Sequence, residues 1–497
     1  MDSFYHQPES NGSKMQSCDE PRSHRSESNG DHSSEFNNAN CCEQTFLQSK
    51  IWEGFGQTTT LHGMRFFSNT KNHWLRRCIW MILVLGTISS LFFIVGFNCV
   101  RFFGYPISSI VTLKYVKNLT FPAVTICNYN QWRKSVIKQE NSEFVSKFFF
   151  PVFRGNDSFN IGDYNVTDLN ITAEVLRGAH QKENMIRDCT WRSVEKCTYE
   201  NFTQIITDFG VCYTFNDPSD LSKILTVRQT GYEHGLFLRL NLEQYDYYYG
   251  ERKGAGFKIL VHAQGEYPFV KQLGFSIAPG FESLVGLKYT KVLINLPRPY
   301  LTECKNSGRI DKYKYTVETC ESLCAVEYLN RSCGCKYYNM IGSYRVCNAQ
   351  EIFECVKPAQ QQYILENPPC DCRIPCVREI YQPRVSEVTW PAPYITEELM
   401  RVFNRSEDFL RRNFMDVVIY FEELNYEEIE QVAAYDWTAL LSDIGGYMGL
   451  LIGASVLTLA EFVDFAIVKL IETIQRKQDK TRPQTQRNAT NSSMELC

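Results

Sequence analysis

The sequence lacks the motifs that mark common catalytic and metal sites. No H-E-x-x-H, G-x-S-x-G or P-loop pattern occurs in its 497 residues, so we expect neither an enzyme nor a cofactor. No C-x-x-C pair occurs either. The pairs Cys333-x-Cys335 and Cys370-x-Cys372 have no histidine nearby, which favours disulfides over a zinc site.

The chain also lacks a strong excess of positive or negative charge, and its N-terminal region contains no apolar segment. Its formal net charge is −4, which gives no indication of a nucleic-acid partner. The first sixty residues are polar and contain no apolar run. We therefore expect no secretory signal and interpret this stretch as a flexible cytosolic tail.

Long apolar runs are few, and they are confined to Cys78–Val100 and Trp437–Ile471. Each run exceeds the ~20 residues that a helix needs to cross about 30 Å of hydrocarbon. Basic residues lie beside one end of each run: Lys71, Arg76, Arg77, Lys469, Arg476, Lys477, Lys480 and Arg482. The positive-inside rule places both chain ends in the cytosol and the intervening loop outside the cell.

These features predict a plasma-membrane protein that crosses the lipid bilayer twice. The predicted segments are a cytosolic tail over 1–73, a span over 74–100, an extracellular domain over 101–436, a second span over 437–471 and a cytosolic tail over 472–497.

Cysteines and glycosylation sequons support an extracellular loop. The loop holds an even number of cysteines, as an oxidised framework requires: Cys127, Cys189, Cys197, Cys212, Cys304, Cys320, Cys324, Cys333, Cys335, Cys347, Cys355, Cys370, Cys372 and Cys376. It also carries N-x-[ST] sequons at Asn118, Asn156, Asn165, Asn170, Asn201, Asn330 and Asn404. We expect disulfides and N-linked glycans there.

The loop pattern predicts a disulfide-rich α+β domain. Strands are indicated by LTFPAVTICNYN, GVCYTFN, GAGFKILVHA, KVLINL and FMDVVIYFEELNY. TEELMRVFNRSEDFLRRNF has helical periodicity. Between Cys304 and Cys376 apolar runs are few, so we expect disulfides rather than an apolar core to hold that stretch.

The second apolar run carries carboxylates that hydrocarbon disfavours. Asp443 and Glu461 are separated by about five helical turns, which would place both on one face of an unbroken helix, roughly 27 Å apart, with Asp464 close to that face. The alternative is that the acids lie at the two headgroup layers. Glycines at small-residue spacing permit close packing of neighbouring helices and also weaken the helix itself. A row of negative side chains beside such a weakened helix suits a cation pathway, which several copies of the chain would have to enclose.

Several motifs resemble the degenerin/epithelial sodium channel family, most closely its acid-sensing and invertebrate peptide-gated branches. They are LHGM, LTFPAVTICN, CYTFN, QLGFSIAPGF, FNRSE, LNYEEIEQ and DIGGYMGLLIGASVLTLAEFVDF. The resemblance extends from about His62 to Lys469. It implies a homo- or heterotrimer with a large, hand-like extracellular domain around a β-sheet palm, which passes Na⁺ and is blocked by amiloride.

The resemblance also implies roles for residues of the second span. Gly453-Ala454-Ser455 match the selectivity filter, an extended belt that interrupts the helix and passes its lower half to a neighbouring subunit. Asp443 matches an acid of the outer pore, and Glu461 and Asp464 match acids of the lower pore.

Further matches concern gating and block. Ser442 matches the position where bulky side chains hold such channels open, and Gly449 matches the amiloride region. His62 and Gly63 match the gating dipeptide at the cytosolic pore entry. Contacts that couple the extracellular domain to the membrane are implied at Tyr105, Tyr300, Leu424 and Asn425.

The resemblance, and not the spacing, implies a connectivity for the loop cysteines. The implied pairs are Cys127–Cys212, Cys189–Cys197, Cys304–Cys376, Cys320–Cys372, Cys324–Cys370, Cys333–Cys355 and Cys335–Cys347.

Departures from the family pattern concern the stimulus. Non-ionisable residues occupy positions where acid-sensing members carry histidines, an acid pair and a lysine: Gly104, Pro106, Ile107, Thr112, Leu113 and Val211. The acidic pocket is thinned to Asp246 and Asp311. A proton gate needs paired carboxylates or histidines, so we predict opening by an extracellular ligand such as a neuropeptide instead. Its candidate contacts are Glu243, Tyr245, Asp246 and Tyr247–Tyr249.

Other functions remain open at this point. Within the family, the alternatives are a proton-gated channel and a constitutive or bile-acid-sensitive one. Outside the family, a trimeric ATP-gated channel would need a lysine cluster for the triphosphate, and a non-conducting receptor with two anchors would need no pore.

Overall fold

The computed structural model describes residues 56–57, 59–69, 72–137, 169–217, 221–248, 252–294, 296–300, 303–306 and 308–481. It divides into two compact units. One unit is Arg101–Trp437, and the other combines Met1–Val100 with Thr438–Cys497.

Helices occur in both units. In chain order they are α1 Met64–Ser68, α2 Trp74–Phe103, α3 Lys134–Ile137, α4 Ile171–Gly178, α5 Lys182–Met185, α6 Val270–Leu273, α7 Val317–Cys333, α8 Ala349–Glu351, α9 Lys357–Glu366, α10 Pro393–Phe403, α11 Glu407–Asn413, α12 Trp437–Ile452 and α13 Val456–Thr481. A π-helical turn, Ile352–Val356, joins α8 to α9.

Strands occupy much of the Arg101–Trp437 unit. They are β1 Ile107–Tyr115, β2 Leu119–Thr120, β3 Ala123–Asn128, β4 Ile186–Trp191, β5 Glu195–Lys196, β6 Phe202–Thr207, β7 Gly210–Phe215, β8 Thr226–Val227, β9 Leu236–Asn241, β10 Phe257–His262, β11 Phe275–Ile277, β12 Phe281–Leu293, β13 Arg309–Ile310, β14 Tyr313–Lys314, β15 Val377–Thr389, β16 Phe414–Phe421 and β17 Asn425–Ala433.

Strand β12 organises the larger sheet. Along its whole length it pairs antiparallel with β15. On its other side it pairs in parallel first with β16 and then with β17. Strands β9, β4 and β5 extend the sheet beyond β16, while β1 pairs with β17. The sheet therefore connects the first strand after α2 to the last strand before α12.

The smaller sheet has the order β11-β10-β3-β7-β6. All six residues of β3 are buried, which explains why its sequence, AVTICN, is apolar without alternation. Its Cys127 lies directly opposite Cys212 of β7, and the two form a disulfide. Side chains of both sheets, including Ile126, Tyr213, Leu238 and Phe257, share one apolar core.

The cysteine-dense stretch contains helices as well as disulfides. Helix α7 begins with a capping box at Thr316 and ends at Gly334, whose φ of +71° favours glycine. An apolar cluster that includes Leu329, Ile352 and Val356 packs beneath it. The expectation that disulfides replace a core here is therefore wrong, because short apolar turns from separate helices combine to form one.

Seven disulfides are present in the described residues, and their pairing is the one that the resemblance implied. They are Cys127–Cys212, Cys189–Cys197, Cys304–Cys376, Cys320–Cys372, Cys324–Cys370, Cys333–Cys355 and Cys335–Cys347.

The stretch with helical periodicity, TEELMRVFNRSEDFLRRNF, is helical and forms parts of two helices. Helix α10 ends at Asn404, which adopts the left-handed conformation with φ +51°. Ser406 then caps α11 by accepting a hydrogen bond from the Phe409 N–H. A left-handed Asn followed by an N-cap Ser interrupts a periodicity that is otherwise continuous.

Helix α2 extends the first predicted apolar run at both ends. It is the one continuous helix among the described residues that is long and apolar enough to cross a membrane. The second apolar run forms a bent pair, α12 and α13, which would make a second span if the pair is counted as one.

Candidate functional site

The second apolar run is interrupted at Gly453–Ser455. Helix α12 ends at Ile452, α13 begins at Val456, and their axes differ by 75°. The expectation that Asp443 and Glu461 share one face of an unbroken helix is therefore wrong. The interruption that the resemblance implied at Gly453 is present.

Local sequence accounts for the break. Gly453 has φ +65°, and its N–H donates to the Gly449 carbonyl at 3.1 Å, which is the usual left-handed end of a helix. Ser455 then caps the beginning of α13, which starts at the next residue. Its hydroxyl accepts from the Thr458 N–H at 3.4 Å, while its own N–H donates to the Thr458 hydroxyl at 3.1 Å. A glycine that ends one helix and a serine that begins the next are separated by a single residue.

The segment Thr59–Gly63 contacts this break. The His62 N–H donates to the Ile452 carbonyl at 3.0 Å. The His62 ring lies so close to Gly453 that a Cβ at Gly453 would overlap it. Gly63 follows with φ +85° and precedes α1. The structure thus brings the predicted gating dipeptide against the predicted filter.

Three threonines, which sequence reasoning missed, connect the same segment to α13. The hydroxyls of Thr60 and Thr458 are 2.7 Å apart, and Thr458 is only 1 % exposed. Oε2 of Glu461 accepts hydrogen bonds from the Thr60 N–H and from the Thr59 hydroxyl, at 3.3 and 3.4 Å. The signal available in the sequence was a polar residue, Thr458, between apolar neighbours in a predicted span.

The other predicted pore residues lie on α12 and α13. Asp443 is half-buried within α12, whereas Ser442 and Asp464 are exposed. Gly445, Gly446 and Gly449 have open space where a Cβ would project. Around these glycines, the surface of α12 therefore contacts no other described part of the chain.

Predicted coupling residues form two separate contacts in the Arg101–Trp437 unit. The rings of Tyr105 and Tyr300 contact edge to face, with centroids 5.4 Å apart. The Leu424 carbonyl accepts from the Val116 N–H at 3.1 Å, and Asn425 begins β17. The second contact joins the end of β1 to the beginning of β17, the strands that adjoin α2 and α12.

The residues predicted to contact a peptide are largely used in packing. Glu243 is buried, and its Oε2 lies 2.9 Å from Nδ1 of His180. Asp246 accepts from the backbone and hydroxyl of Ser135 at 2.7 and 2.6 Å.

The tyrosines of this group behave similarly. Tyr245 stacks on Phe409, with ring centroids 5.6 Å apart, and the Tyr247 hydroxyl donates to Asn128. Burial raises the pKa of the Tyr247 hydroxyl above its ordinary value. Tyr248 is half-buried, and Tyr249 lies outside the described residues. Most described members of this group therefore already have partners within the chain, while Tyr245 stays exposed.

Most of the described sequon asparagines are accessible. Asn118, Asn170, Asn201 and Asn404 are exposed and Asn330 is half-buried. Asn156 and Asn165 lie outside the described residues.

A family model for the amiloride-sensitive sodium channel matches residues 55–465. Acid-sensing ion channel 1C of Danio rerio is 32% identical over 440 residues, which cover 83% of this chain and 82% of that protein. Acid-sensing ion channel 1 of Gallus gallus is 31% identical over 473 residues, covering 89% and 88%. Acid-sensing ion channel 2 of Homo sapiens is 30% identical over 466 residues, covering 87% and 90%.

These matches confirm the family that the sequence motifs predicted and the expectation that the protein is not an enzyme. They do not support a neuropeptide as the ligand. The chain belongs to the amiloride-sensitive sodium channel family, a family of plasma-membrane cation channels.

Proposed function

We propose that the chain is the pore-forming subunit of a trimeric sodium channel, with two spans per subunit and both ends in the cytosol. Helix α2 would be the first span, and α12 with α13 the second. Basic residues beside the N-terminal end of α2 and along the later part of α13 support this orientation.

The interrupted second span is the observation that carries the proposal. A break at Gly453–Ser455 leaves backbone groups outside a helix, and such backbone is tolerated at membrane depth only where it is buried or faces a wet cavity. Three copies of the break around one axis would form a narrow ring of carbonyl and hydroxyl oxygens. Oxygen rings of this kind select among cations by replacing their hydration shells.

Carboxylates on either side of the break would concentrate cations. Asp443 precedes the break, and Glu461 and Asp464 follow it. Rings of acidic side chains favour cation entry. Because Glu461 accepts hydrogen bonds from Thr59 and Thr60, we further propose that the N-terminal segment positions the acids of the lower pore.

The extracellular domain would transmit a stimulus through strands β1 and β17. These strands pair over nine residues, from Ile107 with Ala433 to Tyr115 with Asn425. Because β1 follows α2 and β17 precedes α12, a shift of this pair would act on both spans. The Tyr105–Tyr300 contact and the Leu424–Asn425 linker lie at its two ends.

A bulky residue at Ser442 is expected to produce a constitutive current. Ser442 is exposed on α12, one residue before Asp443, so a larger side chain would keep neighbouring copies of the helix apart. We expect cells that express Ser442→Phe to pass a steady sodium current that amiloride blocks. The measurement is whole-cell current together with surface labelling of the protein.

Ser90→Phe on α2 is the matched control, since Ser90 is also an exposed serine within an apolar helix. It is expected to leave the current unchanged. A Ser442→Phe protein that reaches the surface as a trimer and stays silent would contradict the pore assignment.

Opening by extracellular acid is a second candidate, and one carboxyl group favours it. Burial raises the pKa of Glu266 to about 7, close to the pH outside cells. Because the folded-state pKa is raised, protonation stabilises the buried arrangement. That stabilisation is lost as the pH rises through about 7.

Acidification from about pH 8 to about pH 6 is therefore expected to change the current, with a midpoint near the Glu266 pKa. Glu266→Gln, which is neutral throughout, should remove most of this dependence. The measurement is a pH titration of current in wild type and variant. An unchanged titration in Glu266→Gln would exclude this residue as the sensor.

A further inference from the structure

A cavity of about 420 Å³ lies within the Arg101–Trp437 unit, where β10, the first turn of α7 and β15 converge. Its volume falls in the range of roughly 300–1,000 Å³ that is common for small-molecule sites. Its lining residues are distant in sequence from α12 and α13, so binding of a ligand there can be measured independently of ion conduction.

Apolar and aromatic side chains form most of its wall, among them Leu260, Phe275, Ile374, Ile380 and Tyr381. Aromatic rings attract cations as well as apolar groups, because the face of the ring carries negative electrostatic potential. A wall of this composition suits a ligand with an apolar or aromatic body.

Three carboxylates also border the cavity, and two of them have compensating contacts. Glu379 accepts from the Tyr289 hydroxyl at 2.9 Å and lies 3.9 Å from Nζ of Lys314. Glu318 lies in the first turn of α7, where the helix dipole favours a negative charge.

Glu266, the third carboxylate, has no such contact: the nearby charge of Lys314 lowers its pKa, but burial raises that pKa by more. It is half-buried and forms no ion pair in the part of the chain that the structure describes. Burial raises its pKa to about 7, which expresses the cost of ionising it without a partner. The ionisable groups around it are Lys314 on β14, Glu318 on α7, Arg378 and Glu379 on β15, and His262 on β10.

We propose that this cavity binds a small organic cation, an ammonium group on an apolar or aromatic body, with Glu266 as its counter-ion. An ammonium ion beside Glu266 would offset the remaining cost of ionising this buried carboxylate, while the body of the ligand replaces water on the apolar wall. Three carboxylates border the cavity beside one arginine, Arg378, and burial lowers the pKa of the bordering His262, so the lining disfavours an anion.

A set of three matched probes tests the charge requirement. They are 2-phenylethylammonium, the neutral 2-phenylethanol and the anionic 3-phenylpropionate. Binding to the full chain in detergent would be measured by isothermal titration calorimetry at about pH 8. We expect the cation to bind at least about tenfold more tightly than either other probe.

Substitution tests the counter-ion. Glu266→Gln keeps the shape of the side chain and removes its charge, so we expect at least about tenfold weaker binding of the cation. Glu397→Gln is the matched control, because Glu397 is an exposed acid on α10 and does not border the cavity. Its binding should equal that of wild type.

The dependence on pH gives a second readout. The ionised fraction of Glu266 falls about tenfold between pH 8 and pH 6, so binding of the cation should weaken about tenfold in wild type and not at all in Glu266→Gln. Failure of the cation to bind, equal binding of the neutral or anionic probe, or wild-type affinity in Glu266→Gln would overturn the proposal. Because binding is measured directly, these results are independent of whether the channel conducts.

Discussion

Gly453→Ala is expected to abolish most of the sodium current. Gly453 has φ +65°, a conformation that costs a residue with a Cβ about 1–2 kcal/mol. The added Cβ would also overlap the His62 ring. Helix α12 could then not end where it does, and the break would lose its contact with the N-terminal segment. We expect at least about a tenfold loss of current per channel at the surface.

Surface labelling together with whole-cell recording measures this loss. Gly86→Ala on α2 is the control, because no atom lies within 4 Å of the position where its Cβ would project. That variant should conduct as wild type does.

A double variant distinguishes backbone strain at Gly453 from overlap with the His62 ring as the cause of the lost current. His62→Ala combined with Gly453→Ala removes the overlap but not the backbone strain, so we expect the current per channel at the surface to recover only in part. Normal current in the single variant Gly453→Ala would show that neither the left-handed glycine nor its contact with His62 matters for conduction.

Loss of the Cys127–Cys212 disulfide is expected to be the largest single loss of stability in the Arg101–Trp437 unit. The two cysteines are fully buried and lie opposite each other on β3 and β7, 85 residues apart in sequence. Closing a loop of that length restricts the unfolded chain by ~4.5 kcal/mol in the chain-entropy account. We expect the double variant C127A/C212A to unfold at a temperature roughly 5–10 °C lower.

Thermal unfolding of the full chain in detergent, followed by intrinsic fluorescence, measures the shift. C189A/C197A provides the comparison, because that disulfide joins residues only 8 apart and is worth ~2.5 kcal/mol in the same account. Equal shifts in the two double variants would contradict the explanation by loop length.

The break in the second span shows how much a local motif can predict. Gly453 and Ser455 are the residue types that end and begin helices, and the spacing between them leaves no room for a longer loop. The helical spacing that predicted Asp443 and Glu461 on one face assumed a continuous helix and so did not take this signal into account. Hydrophobicity reports the length of an apolar segment but not whether its axis is straight.

The environments of single carboxylates required the tertiary structure. Glu243 and Asp246 looked available for a peptide in the sequence, yet His180 and Ser135, distant along the chain, occupy them. Glu266 carried no signal at all in the sequence. Its raised pKa depends on burial by residues from three separate elements.

The sequence by itself determined the apolar segments, the even cysteine count, the strand-forming runs and, through its motifs, the family. These features depend only on composition and on the order of residues that are close together in the sequence, so they can be identified without knowledge of the fold. Only the tertiary structure decided that Thr59–Gly63 contacts the break, that the cysteine-dense stretch has a core, and that Glu266 borders a cavity. Each of these depends on contacts between residues far apart in the chain, whose free energies exist only after the fold has brought them together.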